Sequence, residues 1–334
     1  MHWPPGSPSG ERTARGLVLA TLLGLSVAVC TRNRPVELAR CLQALLSAGP
    51  PEGASYTEVI ITDDGTSAPE LVSQLRSQAE AANFRFRHII NPGPHGLIHT
   101  RRLAIRAATG EVILFLDDDA QIAPDYLEHL VARYRDTPAA VGIGGIDVLA
   151  SRRGLLRRTW ARVFLEDSGD AGRLSLSGYS GSGIRWSDAS GAFRSEFLSG
   201  CNMSFRRAVL GGVEAAPWLE GYSLGEDVYL SLIAGANGPL FVDPALRVWH
   251  HRSPSSREGA AATARSAIVN HYHLLRVRGM RWLNYAALHW TAVGLMVTAL
   301  VRRGGPARIR AYMNGLREVH ALWRNVHSRR LLLK

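Results

Sequence analysis

The sequence predicts an α/β fold built on a doubly wound, mostly parallel sheet with helices on both faces. Two observations lead to this prediction. Between residues 25 and 135, short apolar runs alternate with segments whose apolar residues recur at helical spacing. One run, residues 112–116, is apolar at every position, as expected for a strand that is buried on both faces, and three carboxylates follow it directly.

Three strand–helix pairs precede this run. The predicted strands are residues 25–30, 58–62 and 84–90, and the predicted helices are residues 35–46, 71–82 and 97–109. Pro35 suits the first turn of its helix, where a missing N–H is not needed. Gly110 suits the C-terminal cap of the third helix. Strands that alternate with helices in this way favour parallel pairing.

The second half of the chain is less regular. A helix is predicted for residues 124–135 and a strand for residues 141–149. Residues 151–195, rich in Arg, Gly and Ser, are predicted to form a long functional loop. It is followed by a return to the core at residues 197–205, a helix at 228–234, and two short strands at 240–242 and 246–249.

The charge is concentrated in the C-terminal segment. The formal net charge is +11, and residues 265–334 carry thirteen basic residues against one acid. We therefore predict a disordered segment at residues 1–20, a catalytic domain at 21–260 and a basic helical tail at 261–334. No nucleic-acid-binding motif accompanies the tail, so no nucleic-acid partner is expected. Three cysteines fit neither a disulfide framework nor a zinc site, which favours a reducing compartment.

Two acidic clusters follow predicted strands. Asp63 and Asp64 end one strand, and Asp117, Asp118 and Asp119 end another. In an open α/β sheet, ligands bind at the carboxyl ends of the strands. Because adjacent carboxylates repel one another, a divalent cation with phosphate oxygens is the expected partner. The alternative is an Asp-rich turn whose last residue caps the next helix.

Two common nucleotide-binding motifs are excluded. No Gly-x-Gly-x-x-Gly fingerprint follows the first strand. A Walker lysine cannot occur, because Lys334 is the only lysine in the chain. Any bound phosphate is therefore expected to be held by a metal ion and by arginine.

A series of short motifs occurs in one order along residues 25–255. They are VAVCTRNRP from Val27, DDGT from Asp63, GLIHTR from Gly96, FLDDD from Phe115, SGCNMSF from Ser199, GED from Gly225 and VWH from Val248. Together they resemble the inverting glycosyltransferases of family 2, which have the GT-A fold. Arg102 departs from the family pattern, which usually has Asn after the arginine.

The resemblance implies a site for a nucleotide-diphosphate sugar. The donor would be bound by Thr31, Arg32, Arg34, Asp63, Asp64, Arg101, Asp117 and Asp118. Mn²⁺ or Mg²⁺ would be bound by Asp119 and His250, and the imidazole tilts the preference towards Mn²⁺. From the residues alone, His250 is a histidine at a strand end, with His251 as a competing ligand. Arg101 is either a diphosphate contact or a solvated residue on a helix face.

Inversion requires a base that takes the proton of the acceptor hydroxyl. The resemblance implies Asp227 as this base, with Glu226 as its orienter. Gly200, Asn202 and Met203 would lie on the acceptor side. The alternative for the two acids is a helix N-terminus, where carboxylates favour the helix dipole.

The tail suggests a membrane surface. Residues 282–301 are mostly apolar and long enough to span a bilayer, but polar residues recur along them, which favours an interfacial helix over a span. A second stripe with arginines beside it consists of Ile309, Met313, Leu316, His320 and Trp323. Residues 282–334 are therefore predicted to bind an anionic membrane surface. The alternative is a helix that packs on the catalytic domain.

The predicted function is metal-dependent, inverting transfer of a sugar from a nucleotide-diphosphate donor to a hydroxyl acceptor. The expected acceptor is a lipid-linked or cell-envelope glycan, and the expected location is the cytoplasmic face of the membrane, peripheral or anchored by one helix. Two alternatives are a nucleotidyltransferase on a similar sheet and a non-catalytic, membrane-bound protein that binds nucleotide sugars.

Overall fold

The structure is a computed structural model that describes residues 23–150, 154–219, 221, 224–253, 259–301 and 304–331. Its strands are β1 (Leu23–Thr31), β2 (Ala54–Asp63), β3 (Arg85–Ile90), β4 (Val112–Asp117), β5 (Ala120–Ile122), β6 (Gly142–Asp147), β7 (Phe193–Ser195), β8 (Asn202–Arg206) and β9 (Leu240–His250). Its α-helices are α1 (Pro35–Ala48), α2 (Pro69–Ala81), α3 (Leu97–Ala107), α4 (Tyr126–Asp136), α5 (Leu155–Val163), α6 (Glu226–Gly235), α7 (Ala260–Arg278), α8 (Trp282–Leu300) and α9 (Gly305–Leu331). The predicted disordered segment, residues 1–20, lies outside the described residues.

The first half of the sheet is parallel, as predicted. Its strands lie in the order β3-β2-β1-β4, and each neighbouring pair runs in the same direction. Thr31 of β1 lies opposite Asp63 of β2, and Cys30 lies opposite Asp117 of β4. The two acidic clusters therefore meet at one edge of the sheet, because parallel strands end on the same side.

The second half corrects the prediction of a mostly parallel sheet. The order continues β8-β6-β9-β5, with β7 paired to β9, and only the β6–β9 pair is parallel. The sheet is therefore mixed. The long segment between β6 and β8 leaves the sheet at the C-terminal end of β6 and re-enters it at the same end. Strand β8 is therefore antiparallel to both of its neighbours, β4 and β6. Apolar patterning reports burial and carries no information on strand direction.

Three local predictions also differ from the structure. The predicted loop at residues 151–195 contains helix α5, a 3₁₀ helix at Gly181–Asp188 and strand β7. The two predicted strands at 240–242 and 246–249 are the single strand β9, which continues past Pro244 because the pairing register with β6 shifts there. Strand β5, three residues long, is too short for its pattern to be recognised.

Helices cover both faces of the sheet, as predicted. On one face, α1, α2 and α4 enclose a core that includes Val27, Leu42 and Leu130. On the other face, α3 and α6 pack on Ala28 and Phe115. Successive β1 residues alternate between the two cores because strand side chains point alternately to opposite faces. This double coverage makes the carboxyl edge of β1 and β4 the accessible part of the strands.

The C-terminal helices α7, α8 and α9 form a third core with one another. Ile268 and Tyr272 of α7, Leu288 and Ala292 of α8, and Val319 of α9 are buried in it. Of the predicted α9 stripe, Ile309, Leu316 and Trp323 pack against this core. Helix α9 thus packs on α7 and α8, within the predicted tail, and most of its apolar stripe is used for this packing.

Candidate active site

Three side chains with metal-ligating atoms meet at the end of β4. They are Asp117, Asp119 and His250, and one ligand atom from each lies within 4.8 Å of the others. Strand pairing positions them, because Ala120 of β5 lies opposite His250 of β9. His250 Nε2 lies 3.0 Å from Asp119 Oδ1 and 3.7 Å from Asp117 Oδ2. The cluster brings together the two predicted ligands and adds Asp117, which was predicted as a donor contact only.

The neighbouring His251 does not join this cluster. Its side chain is exposed, and its Nε2 lies 3.0 Å from Gln121 Oε1. Adjacent residues of a strand point to opposite faces, so only one of the two histidines can turn inwards. The structure therefore brings His250, and not His251, to the carboxylates.

The cluster favours positive charge. Burial by itself would lower the pKa of His250, but its hydrogen bond to Asp119, with smaller effects of Cys201 and Asp117, raises that pKa to about 10. Burial would raise the pKa of Asp119, but His250, the Ser253 N–H and Arg34 together lower it. A site that stabilises a cation in this way fits a divalent metal ion, and its carboxylate and imidazole donors suit Mn²⁺.

Asp118, the middle residue of the triple, has a different environment. Thr31 Oγ1 donates to its Oδ2 at 2.8 Å, and Arg34 Nη1 donates to its Oδ1 at 2.9 Å. Burial raises the pKa of Asp118 to about 6, although Arg34 and Thr31 oppose the shift. Asp118 thus holds two of the predicted donor-binding side chains in place, and both of its oxygens are occupied by them.

A cleft opens beside the cluster, between the ends of β1, β2 and β4. Its lining consists of Cys30, Thr31, Arg32, Arg34, Asp64, Gly96, Leu97, Thr100, Asp117, Asp118, Asp119, Gly221 and His250. We call this lining the donor cleft. It contains six of the eight predicted donor-binding residues, and the two others, Asp63 and Arg101, lie behind it.

Asp63 is buried below the donor cleft and serves the turn after β2. The backbone N–H groups of Gly65 and Ser67 donate to its two oxygens at 2.9 and 3.0 Å, and His88 Nε2 lies 3.4 Å away. The Asp63 carboxylate is therefore held by a local turn and does not line the donor cleft. Its neighbour Asp64 lines the cleft.

Asp64 connects β2 to the loop before α3. Its carboxylate accepts hydrogen bonds from Asn91 Nδ2 at 2.6 Å and from the Gly96 N–H at 2.9 Å. His95 Nδ1 lies 3.1 Å from the same carboxylate, and Arg32 Nη1 lies 3.8 Å away. Asp64 therefore shapes the wall of the donor cleft and also places a carboxylate in it.

Arg101 is a buried link between three motifs. It is 1% exposed, so it is neither a solvated helix residue nor a surface of the donor cleft. Its Nη1 donates to Glu226 Oε1 at 2.7 Å, and its Nη2 donates to Gly200 O at 3.0 Å and to Asp117 Oδ1 at 3.2 Å. Both terminal nitrogens of Arg101 therefore have partners within the protein. Arg101 thus holds the end of β4, the loop at Gly200 and the start of α6 in place relative to one another.

We expect Arg101→Met to lower the free energy of unfolding by about 3–5 kcal/mol, since it leaves the buried Glu226 without its cation. Urea denaturation measures this change. Arg265→Met is the matched control, because both side chains of the Arg265 Nη2–Glu318 Oε2 pair, at 2.6 Å, are exposed. The double variant Arg101→Met/Glu226→Gln should recover part of the loss. An Arg101→Met protein as stable as the unmodified protein would contradict the linking role.

Asp227 and Glu226 lie in the first turn of α6. The Glu226 side chain contacts Arg101, and the Asp227 side chain lines a second cleft. Asp227 Oδ1 accepts from the Val228 N–H at 2.8 Å, and Oδ2 accepts from the Gly200 N–H at 3.3 Å. Burial raises the pKa of Asp227, while these N–H groups and Arg101 oppose the shift. Glu226 is buried against Arg101 and orients the loop, so of the two acids only Asp227 reaches an open cleft.

That second cleft lies on the other side of His250. It is lined by Ile146, Asp147, Ala150, Ser180, Gly183, Trp186, Ser187, Phe197, Ser199, Asp227, His250 and Arg252. We call it the acceptor cleft. Because His250 lines both clefts, the candidate metal site lies where they meet.

The predicted acceptor-side residues are only partly in place. Gly200 contacts Asp227 and Arg101, but Asn202 and Met203 are fully buried on β8, where they pair with β4. Asn202 and Met203 do not line the acceptor cleft, because the motif crosses from the site into the core after Cys201. Ser199 lines the acceptor cleft instead.

Sequence reasoning missed several residues of the acceptor cleft. Asp147 accepts hydrogen bonds from the His250 N–H at 3.3 Å and from Arg252 Nη2 at 2.9 Å. Trp186 packs on Phe197 with ring centroids 5.0 Å apart. The aromatic residues of the predicted loop were the only available signal, and their spacing does not identify which of them line a cleft.

Comparison with known proteins gives the same family. The model of the family "Glycosyl transferase family 2" matches residues 26–210, more than half of the chain. The succinoglycan biosynthesis protein ExoM of Rhizobium meliloti (strain 1021) is 32% identical over 126 residues, which are 37% of this chain and 39% of that protein. An N-acetylglucosaminyltransferase of Bradyrhizobium elkanii is 27% identical over 156 residues, 47% of this chain and 80% of that protein. The match to ExoM thus spans well under half of that relative.

Solved structures with the same fold are glycosyltransferases. The mannosyltransferase PcManGT from Pyrobaculum calidifontis, in complex with GDP-Man and Mn²⁺, has a TM-score of 0.52 and 17% identity over 92% of this chain and 81% of its own. S. aureus TarS, in complex with UDP-GlcNAc, has a TM-score of 0.52 and 16% identity over 90% of this chain and 83% of its own. At this identity the likeness concerns the fold alone, which is GT-A. The family match, which covers more than half of the chain, shows that this chain belongs to glycosyl transferase family 2.

Proposed function

We propose that this enzyme is metal-dependent and transfers a sugar, with inversion, from a nucleotide-diphosphate donor to a hydroxyl acceptor. The single observation that carries the proposal is the position of His250, Asp117 and Asp119 between two clefts. One cleft has carboxylates and arginines for a nucleotide, and the other has Asp227. The bond between sugar and nucleotide diphosphate would break on the donor-cleft side of this cluster. The bond between sugar and acceptor oxygen would form on the acceptor-cleft side.

The donor would lie in the donor cleft with its diphosphate towards the acidic cluster. Asp117, Asp119 and His250 would hold Mn²⁺ or Mg²⁺, which neutralises charge on a leaving nucleotide diphosphate. Arg34, fixed by Asp118, and Arg32, on the rim, supply further positive charge near this point. Asp64 would accept hydrogen bonds from the base or ribose. The presence of Mn²⁺ in two solved relatives of the same fold supports the choice of metal.

Asp227 would act on the acceptor. An acceptor hydroxyl in the acceptor cleft would give its proton to the Asp227 carboxylate while its oxygen attacks the sugar from the side opposite the diphosphate. The raised pKa of Asp227 suits this step, because a more basic carboxylate binds the proton more strongly. Arg101 and Glu226 hold the loop that carries the base, and Gly200 orients its carboxylate.

The proposed acceptor is a lipid-linked or cell-envelope glycan, and the proposed location is peripheral, on the cytoplasmic membrane face. The name of ExoM, a succinoglycan biosynthesis protein, supports glycan assembly. By length and composition α8 could cross a bilayer, but 33% of its most apolar window is buried inside the protein. A helix that packs along one side suits a surface position, so we propose residues 21–260 as the catalytic domain and 261–334 as an attached membrane-facing unit.

The test is nucleotide release from a panel of UDP- and GDP-sugars, measured with Mn²⁺, with Mg²⁺ and with EDTA. We expect release with one donor in Mn²⁺ and its loss in EDTA. Release that is equally fast in EDTA would contradict metal dependence. A β-linked product from an α-linked donor, identified by NMR, would establish inversion, and an α-linked product would refute it.

A further inference from the structure

The outward side of α8 is apolar along its whole length. Its exposed residues recur every three or four positions, at Leu283, Ala286, Trp290, Val293, Val297 and Leu300. A helix surface that faces water is expected to be polar at such positions. The opposite side, with Leu288 and Ala292, is buried in the third core. Helix α8 is therefore covered on one side by the protein and presents an unbroken apolar stripe on the other.

Helix α5 presents a second apolar surface. Leu155 and Leu156 are 78% and 88% exposed, and Val163 is 52% exposed. Leu156 and Val163 are seven residues apart, which is close to two helical turns, so they lie on one side of α5. Leucines that are this exposed contribute little to the folded protein, because their apolar surface remains in water.

The two apolar surfaces are joined into one. Trp290 Nε1 of α8 donates to Val163 O at 2.7 Å, and Phe164 stacks on the Trp290 ring with centroids 5.0 Å apart. Gly294 permits this contact, because a Cβ there would lie 2.3 Å from the Phe164 ring. We define the α5–α8 face as Leu155, Leu156, Val163, Trp290, Val293, Val297 and Leu300.

The charged side chains on the two helices themselves have one sign. Helix α5 carries Arg157, Arg158 and Arg162 and no acid, and α8 carries no charged residue. The nearest acid after α5, Glu166, is buried and lies 3.7 Å from Arg157, which leaves Arg158 and Arg162 as the charges that α5 adds to this face. In the sequence, Arg302 and Arg303 follow one residue after the end of α8. An apolar face with tryptophan and a rim of arginines fits the interface of an anionic bilayer, where apolar groups reach the acyl chains and arginines contact phosphate.

The C-terminal end of helix α5 is connected to the acceptor cleft. Glu166 follows α5 by three residues, and its carbonyl oxygen accepts a hydrogen bond from the Gly181 N–H at 3.1 Å. The residue before Gly181, Ser180, lines the acceptor cleft. A surface that contacts the end of α5 is therefore connected to the wall of this cleft through one hydrogen bond.

We propose that the α5–α8 face docks into the interfacial layer of an anionic lipid bilayer and thereby sets the acceptor cleft at the membrane surface. This proposal rests on the proposed function and narrows it: the acceptor is anchored in the bilayer and reaches Asp227 from the membrane side. Helix α9 is not the membrane-binding element, because three residues of its stripe, Ile309, Leu316 and Trp323, pack against the third core.

The test is flotation of the full chain with vesicles of phosphatidylcholine containing about 30% phosphatidylglycerol, and with pure phosphatidylcholine. We expect Leu156→Asp and Val293→Asp each to lower the partition coefficient roughly tenfold to a hundredfold, since each removes the burial of one apolar side chain. Met313→Asp is the matched control. Met313 is an apolar residue of α9 that is 42% exposed, and its substitution should leave flotation unchanged.

Three outcomes would overturn the proposal. The first is flotation of Leu156→Asp equal to that of the unmodified chain. The second is a loss caused by Met313→Asp as large as that caused by Val293→Asp. The third is a dimer in solution that Leu156→Asp converts to a monomer, since the face would then bind a second copy of the chain. Mn²⁺-dependent binding of a nucleotide diphosphate without vesicles should survive Leu156→Asp, and its absence from the unmodified protein would refute the proposed function while leaving the flotation result valid.

Discussion

Replacement of Asp227 by Asn is expected to lower kcat by about 10²–10⁴-fold, the usual contribution of a general base. The amide cannot take up the acceptor proton at neutral pH. It keeps nearly the same shape, so the protein should fold. Asp227 lies outside the donor cleft, and the donor Kd should therefore change little. Steady-state kinetics and nucleotide titration measure the two quantities separately.

The same carboxylate should determine the acid limb of the pH profile. Burial raises the pKa of Asp227, and a base acts only when it is ionised. Activity should therefore be full above this raised pKa and fall as the pH decreases through it. Asp227→Glu should retain part of the activity and this limb, and Asp227→Asn should abolish the limb.

Asp170→Asn serves as the control for Asp227→Asn, because Asp170 is exposed and lies outside both clefts. Its kcat should equal that of the unmodified enzyme. An Asp227→Asn enzyme with an undiminished kcat, or one with a weaker donor Kd and an unchanged kcat, would assign Asp227 to binding rather than to proton transfer.

The sequence allowed the elements of the first half of the fold to be predicted with boundaries within two residues, except that β2 begins four residues earlier. The reason is that each of its strands is apolar throughout or alternates, and each is followed by a helix with its own periodicity. The prediction that Asp64 and Asp117 lie at the same edge of the sheet required only that their strands be parallel. The antiparallel entry of β8 could not be predicted, because direction depends on how the chain returns from residues 148–201. The order of apolar and polar residues along a strand does not depend on that path, so it cannot reveal the direction of β8.

The site could be predicted by residue type but only in part by role. Asp63 and Asp64 are adjacent in the sequence, yet one is used by a turn and the other lines a cleft. Arg101 could be read as a solvated arginine, whereas the structure buries it between Asp117 and Glu226. These roles depend on which partner each side chain meets across the fold. Such partners are far apart in the sequence, by 125 residues in the case of Arg101 and Glu226. A local sequence pattern therefore cannot identify them.

Asp119→Asn and His250→Ala are each expected to weaken Mn²⁺-dependent nucleotide binding by at least about a hundredfold, since outer partners of metal ligands alone contribute 10–100-fold. Asp119→Asn is the sharper variant. Its amide oxygen can still accept the Ser253 N–H, which donates to Asp119 Oδ2 at 2.8 Å, so the local fold is preserved while the charge is lost. Calorimetric titration with a nucleotide diphosphate, with and without Mn²⁺, gives the effect directly.

The binding that remains without metal distinguishes the metal site from a purely structural cluster. In Asp119→Asn, Arg34 keeps its hydrogen bond to Asp118 and loses only the Asp119 charge 3.6 Å away, so nucleotide affinity in EDTA should not fall. Asp125→Asn, at a partly exposed carboxylate outside both clefts, should retain the full response to Mn²⁺. If Asp119→Asn also retained that response, the carboxylate would serve only to hold His250 and the Ser253 backbone. If affinity fell equally with and without Mn²⁺, the residue would shape the cleft without binding the metal. Only selective loss of the Mn²⁺-dependent part places the cation between the two clefts, where it can neutralise a departing diphosphate beside the base that activates the acceptor.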